Sequence, residues 1–290
     1  MFKGEEGLSR IRCRVEVRFL LKLIRASVRT CSGGVTVTQN SRIVPEKLKN
    51  DAIVEAIFEI RFSMSAVPEV LIGRVSEYAP WKNFKQISLP ASQVPPAFRQ
   101  ADPNLRYQPI VRLIDEQQKR AVSIGGNVIS YSRGMPYIGW KSFKPELDQV
   151  IAGVFQKASP LHVERLGLRY LNALQYDLHG IRSIADLNLT LEIANERITG
   201  SANLNFTTDG TSDTACTVRI ATTDFVQVQQ GAMPPTTSVY VDVDVFTNSL
   251  GFGTTNQEFV RDWIERAHSK EKIQFFRLLT ESTIESLREK

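Results

Sequence analysis

The sequence predicts an α+β protein with two pseudo-repeated halves of antiparallel strands and helices packed on one face of a curved sheet. Three observations carry this. Residues 53–62 alternate strictly: Val54, Ala56, Phe58, Ile60 and Phe62 face one way, and Glu55, Ile57, Glu59 and Arg61 the other. A half-buried strand must read this way, because successive side chains leave a pleated strand on opposite sides. Residues 143–155 place Phe143, Leu147, Val150, Ile151, Val154 and Phe155 at helical spacing. Strand runs and amphipathic helices then recur in the second half, the signature of sheet-and-helix layers around one core.

Residues 1–42 stand apart. They hold nine basic and three acidic residues, a net of six positive charges, which leaves the other 27 basic and 28 acidic residues at minus one. Read as a signal peptide, the leader fails, because its apolar run Phe19-Leu20-Leu21 meets Lys22. It is too short and too charged to cross a membrane. A basic amphipathic surface helix and an upstream mis-assigned start, with Val35 or Val37 as the true one, are the remaining readings. The second is favoured, and the folded pattern is expected from Ile43.

The first half is drawn over 43–175 and the second over 176–290. After the strand at 53–62, residues 68–78 read as a helix with Pro68 in its first turn and a stripe of Val70, Leu71, Val75 and Tyr78. Beyond a Pro-rich loop, residues 109–114, 120–124 and 128–132 read as a meander, with Gly125-Gly126-Asn127 supplying positive φ at a turn. Ser142 is expected to cap the helix of 143–155, and residues 162–174 to return as a strand. In the second half, 187–193, 202–207, 215–221 and 238–246 read as strands. Two helices follow, one with a capping box of Thr255 and Glu258 and one capped by Ser269 and interrupted at Thr280.

Composition narrows the function classes. The three cysteines, Cys13, Cys31 and Cys216, form no C-x-x-C pair, which suggests a reducing, cytoplasmic compartment. A balanced body lacks the basic footprint of phosphate-backbone binding, so nucleic acid is not an expected partner, nor is a membrane. No G-x-S-x-G, P-loop or H-E-x-x-H is present. Gly251-Phe-Gly253 lacks a third glycine, and His268 is read as closing a helix near its dipole's negative end. Cys216 is read as a buried apolar residue. No catalytic residue is singled out.

Charged residues on strand faces are the candidate site. Glu55, Glu59 and Arg61 share one side of the first strand, and Arg165 and Arg169 flank Gly167 on the mid-chain strand. Side by side, they form either an anionic-ligand groove, since guanidinium matches phosphate oxygens, or a cross-strand ion-pair network. Asp242 and Asp244, about 7 Å apart on one strand face, could hold Mg²⁺ or Mn²⁺, or could simply be an outward face. The Glu-x-Glu-x-Lys strand of triphosphate-tunnel enzymes is matched poorly, with Ile57 and Arg61 where Glu and Lys would stand. Tyr131, Arg133, Tyr137 and Trp140 form either a stacking surface for a partner or a cover over the core.

Three segments, 52–62 (AIVEAIFEIRF), 163–172 (VERLGLRYLN) and 263–287 with His268, Phe276 and Thr280, resemble a family of uncharacterised bacterial proteins of about 250 residues. Its sporadic distribution among genomes implies mobile defence or toxin–antitoxin genes, and it implies no activity. The resemblance covers residue 43 to the C-terminus. The function expected is therefore a non-enzymatic binding or regulatory module for a protein partner, its oligomeric state open. The alternative is a metal-assisted enzyme or binder acting on a phosphorylated small molecule or nucleotide.

Overall fold

The computed structural model describes residues 45, 48–64, 68–158, 160–211, 214–225, 234, 236–247 and 256–288. The expectations for the leader, for Gly251 to Gly253 and for Thr255 fall outside them. In chain order the elements are β1 (Ile53–Met64), α1 (Pro68–Ser76), β2 (Lys85–Ser88), α2 (Pro96–Ala101), α3 (Pro103–Arg106), β3 (Val111–Asp115), β4 (Arg120–Ile124), β5 (Val128–Gly134) and α4 (Trp140–Lys157). They continue with β6 (Leu161–Gln175), α5 (Tyr176–His179), β7 (Glu192–Ile193), β8 (Glu196–Arg197), β9 (Asn203–Thr211), β10 (Thr214–Thr222), β11 (Thr237–Phe246), α6 (Gln257–Leu278) and α7 (Glu281–Leu287).

Nine strands form one open sheet in the order β2-β3-β4-β5-β1-β6-β11-β10-β9, with every neighbouring pair antiparallel. The order is nearly symmetric about the β1–β6 pair, with five strands on one side and four on the other. β1 pairs with β5 at the end of one meander, β6 pairs with β11 at the end of the other, and β1 and β6 pair with each other. Each meander is followed by a long helix, α4 or α6. The α+β class and the pseudo-repeat are thus both present, and the structural repeat begins at β6, ahead of the 175/176 division.

Alternation in β1 is reproduced residue by residue. Ala56, Phe58, Ile60 and Phe62 are fully buried beneath the helices, with Leu166, Leu168 and Tyr170 of β6 and Val241, Val243 and Val245 of β11 in the same core. Phe143, Leu147, Ile151 and Val154 of α4 and Val260, Trp263, Ile264 and Ala267 of α6 close it from above. Burying each such side chain stabilises by about 1.5–3 kcal/mol. No helix among the described residues is long and apolar enough to cross a membrane.

Several local expectations are corrected. Residues 187–193 carry no long strand. Leu187, Leu189 and Leu191 are buried in alternation, but Asn188 donates its backbone N–H to Leu278 O at 2.7 Å and its Nδ2 to Arg277 O at 2.9 Å. The segment satisfies the last carbonyls of α6 instead of a ladder. α6 runs unbroken through Ser269, whose Oγ donates to Glu265 O at 3.0 Å, the mid-helix alternative to capping. His268 therefore sits inside a helix and not at its end. Ile273 and Val70 are exposed, while Glu271 and Phe275 take the inward positions of α6.

Caps shift as well. Gly139, at φ 79°, precedes α4 in place of Ser142, and Asn256 caps α6, accepting from Glu258 N at 2.8 Å. Thr280 caps α7, so the break expected there is present. Gly125 is not needed for positive φ; the positive-φ residue of the meander is Lys119, at 54°. A Cβ at Gly125 would lie 2.6 Å from the Gln108 carbonyl oxygen, and glycine is what permits that approach.

Candidate functional site

The face of the sheet turned away from α4 and α6 carries the charged residues singled out in the sequence. In the β1–β6 register Glu59 lies opposite Gly167 and Arg61 opposite Arg165. In the β11–β6 register Asp244 lies opposite Arg169 and Asp242 opposite Leu171. Three strands therefore bring Glu55, Glu59, Arg61, Arg165, Arg169, Asp242 and Asp244 onto one surface.

Their contacts form a chain across the strands. Arg61 Nε donates to Glu59 Oε1 at 2.7 Å, and Arg165 Nη1 donates to the same oxygen at 2.8 Å. The other arm of Arg165 reaches Asp244 Oδ2 at 3.2 Å. Arg169 grips Asp242 bidentately, at 2.8 Å and 2.5 Å, the strong planar geometry of guanidinium on carboxylate. Glu55 lies 3.9 Å from Arg112 of β3, whose Nη2 also donates to Ser132 Oγ at 3.3 Å.

Gly167 makes the central bridge possible. A Cβ there would lie 2.8 Å from Arg165 Nη1, so the absent side chain is the slot in which the guanidinium lies. The same guanidinium sits 4.7 Å from the centre of the Phe246 ring, within cation–π range.

One extra residue in β6 enlarges the site. Phe62 pairs with Val163 and Arg61 with Arg165, which leaves Glu164 as a bulge. Glu164 accepts from Tyr107 Oη at 2.7 Å and lies 3.7 Å from Arg106. Arg61 and Arg106 both pack on the Tyr107 ring, at 4.9 Å and 5.5 Å. Tyr107, Glu164, Arg112 and Phe246 were missed in the sequence. For Glu164 a signal exists: apolar positions step by three from Val163 to Leu166 and then by two.

Electrostatics match this geometry. The hydrogen bond from Arg169 to Asp242 holds its guanidinium protonated above the ordinary range, against the opposing effect of burial. Burial raises the Asp244 carboxyl above its ordinary value, and Arg165 and Arg169 only partly offset that. Burial and the Glu164 hydrogen bond raise the Tyr107 hydroxyl. Asp242 and Asp244 are each engaged by an arginine, and among the described residues no three His, Cys, Asp or Glu side chains gather to hold a metal.

The aromatic candidates lie elsewhere. Tyr131 and Arg133 are buried, donating to Glu146 of α4 at 2.7 Å and 2.9 Å. Tyr137 Oη is 3.2 Å from Tyr170 Oη, and Trp140 stacks on His268 with centroids 3.9 Å apart. Tyr131 and Arg133 thus join the sheet to α4, and Trp140 joins α4 to α6. Beside them, burial holds His268 neutral by lowering its pKa to about 4, with Lys272 adding to the shift. Burial raises Glu271 to about 8. Burial likewise pushes the Cys216 thiol up to about 12.

No protein-family model matches the chain, and no curated protein is similar to it in sequence. Residues 52–62 and 163–172 supply the paired central strands of this face.

Proposed function

We propose that the protein is a recognition module that docks a protein partner on the charged sheet face. The observation that carries this reading is the pairwise balance of that face. Glu55, Glu59, Asp242 and Asp244 are matched by Arg112, Arg61, Arg165 and Arg169. A polyanion would be favoured by a strongly positive field, whereas these eight side chains cancel in charge. Protein interfaces combine part-desolvated arginines with aromatic rings, as Arg61 with Tyr107 and Arg165 with Phe246 do here.

A small-molecule enzyme would need a concave pocket with convergent polar groups. The two depressions described, about 520 Å³ along α6 and about 200 Å³ beside α2, are lined by none of the seven candidate residues. The sporadic family distribution favours a partner encoded beside this gene, as in defence or toxin–antitoxin pairs. The sparse cysteines favour a cytoplasmic setting.

The test is retention of the neighbouring gene product, or of partners captured from the native host, by tagged protein. Reversing Arg61→Glu and Arg169→Glu together is expected to abolish retention. Arg197→Glu, on the separate β7–β8 ribbon, should leave it intact. Equal retention by all three proteins would sink the proposal.

A further inference from the structure

Among the described residues, Arg99 is a largely buried cation without a counter-ion. Its residue is 9% exposed, and its Nε is buried without a hydrogen-bond partner. Among the described residues nothing forms an ion pair or hydrogen bond with its guanidinium. The buried Nε atoms of Arg112 and Arg133 belong to arginines whose terminal nitrogens are engaged, Arg112 with Glu55 and Ser132 and Arg133 with Glu146. Its terminal nitrogens keep some contact with solvent, but a largely buried cation with no counter-charge is disfavoured unless something supplies that charge.

The surroundings form a site. Arg99 lines a depression of about 200 Å³ together with Arg106, Gln100, Gln108, Leu105 and Pro96. Arg106 also has a buried, unpartnered Nε, and among the described residues its carboxylate neighbour is Glu164 at 3.7 Å. The depression is thus lined by two guanidiniums, of which only Arg106 is recorded beside a carboxylate, and by apolar walls. The frame is rigid: Gln100 Nε2 donates to Asn127 Oδ1 at 3.0 Å, and Asn127 Nδ2 donates to Phe62 O at 3.1 Å. The close approach of Gly125 to Gln108 fixes the opposite wall. The volume is below that of drug-sized ligand pockets and suits a small charged head.

We propose that Arg99 and Arg106 form a binding site for a small oxyanion, a phosphoryl or carboxylate group, in the cleft between α2, α3 and the β4–β5 turn. The planar fork of arginine matches either group through paired N–H donors. The site is distinct from the sheet face, to which Arg106 connects it through the Tyr107 ring.

Inorganic phosphate and acetate, titrated separately into the full chain at constant ionic strength, distinguish the two chemistries. Binding is read by calorimetry and by the melting temperature. The wild type should bind at least one of the two and melt higher as it is added; the anion that acts names the group. Arg99→Met keeps the apolar stem and removes only an uncompensated charge, so in anion-free buffer it should melt no lower than the wild type. Its affinity for the active anion should fall roughly tenfold or more. If Arg99→Met does not fold, Arg99→Lys keeps the charge but loses the fork, and it should also bind more weakly. Equal anion responses in wild type and variant, or no wild-type response to either anion, would overturn the assignment.

Discussion

Glu271 occupies a position of α6 that the helical period assigns to the core. It is 5% exposed, facing Tyr137 and Tyr170 with Asp51 and Lys272 in electrostatic range. With its carboxyl raised to about 8, the folded protein keeps this proton at neutral pH while the unfolded chain releases it. Its stabilising effect is complete below the unfolded value of 4.5 and is lost as pH rises through about 8. His268, lowered to about 4, acts oppositely: its contribution is present above 6.5 and is lost as pH falls through about 4. The two slopes oppose each other below pH 6.5, and between 6.5 and 8 only Glu271 acts. Urea unfolding should therefore show wild-type stability falling by about 1.4 kcal/mol per pH unit at most in that window, and Glu271→Gln should flatten it. A slope unchanged by the substitution would contradict this account. The residue was illegible in sequence because a glutamate on an amphipathic helix reads as solvent-facing.

At the scale of the element, β6 shows what alternation reports and what it hides. The strand and its facing were legible, because Leu166, Leu168 and Tyr170 keep period two. The bulge at Glu164 adds a residue without changing which side chains face the core: Val163 and Arg165 hold their partners on either side of it. Deleting Glu164 should therefore leave a regular ladder and remove only the anchor of Tyr107 and Arg106, costing about 1–2 kcal/mol. Deleting Leu168 would turn the rest of the strand over, since a one-residue slip exchanges the faces. It should abolish soluble, cooperatively unfolding protein. Residues 187–193 mark the limit of such reading: alternation records burial, whereas strand pairing depends on a neighbour that the local sequence does not name. Arg99 was hidden for a similar reason, lying in a Pro-rich stretch whose short helices carry no periodic signal.

For the whole molecule, the sheet is continuous only through the pairing of β1 with β6. Neither repeat has another partner for that strand, and an unpaired central edge invites association. Fragments 1–158 and 159–290 expressed alone should aggregate or self-associate, and co-expression should recover a soluble one-to-one complex by size-exclusion chromatography. Two fragments that are each monomeric and folded would refute this. The nearly symmetric order was only half legible, because the repeats share a layout and not their residues. That layout is the one a two-fold dimer would adopt, with equivalent strands meeting antiparallel on the axis. A true dimer must offer the same side chain from both subunits. Covalent linkage of the repeats lifts that constraint, so the residues that meet across the seam can differ, as Glu59 and Arg165 do. The two sides of the midline thereby need not match, and a visitor to that surface can be held in one orientation where an identical pair would accept two.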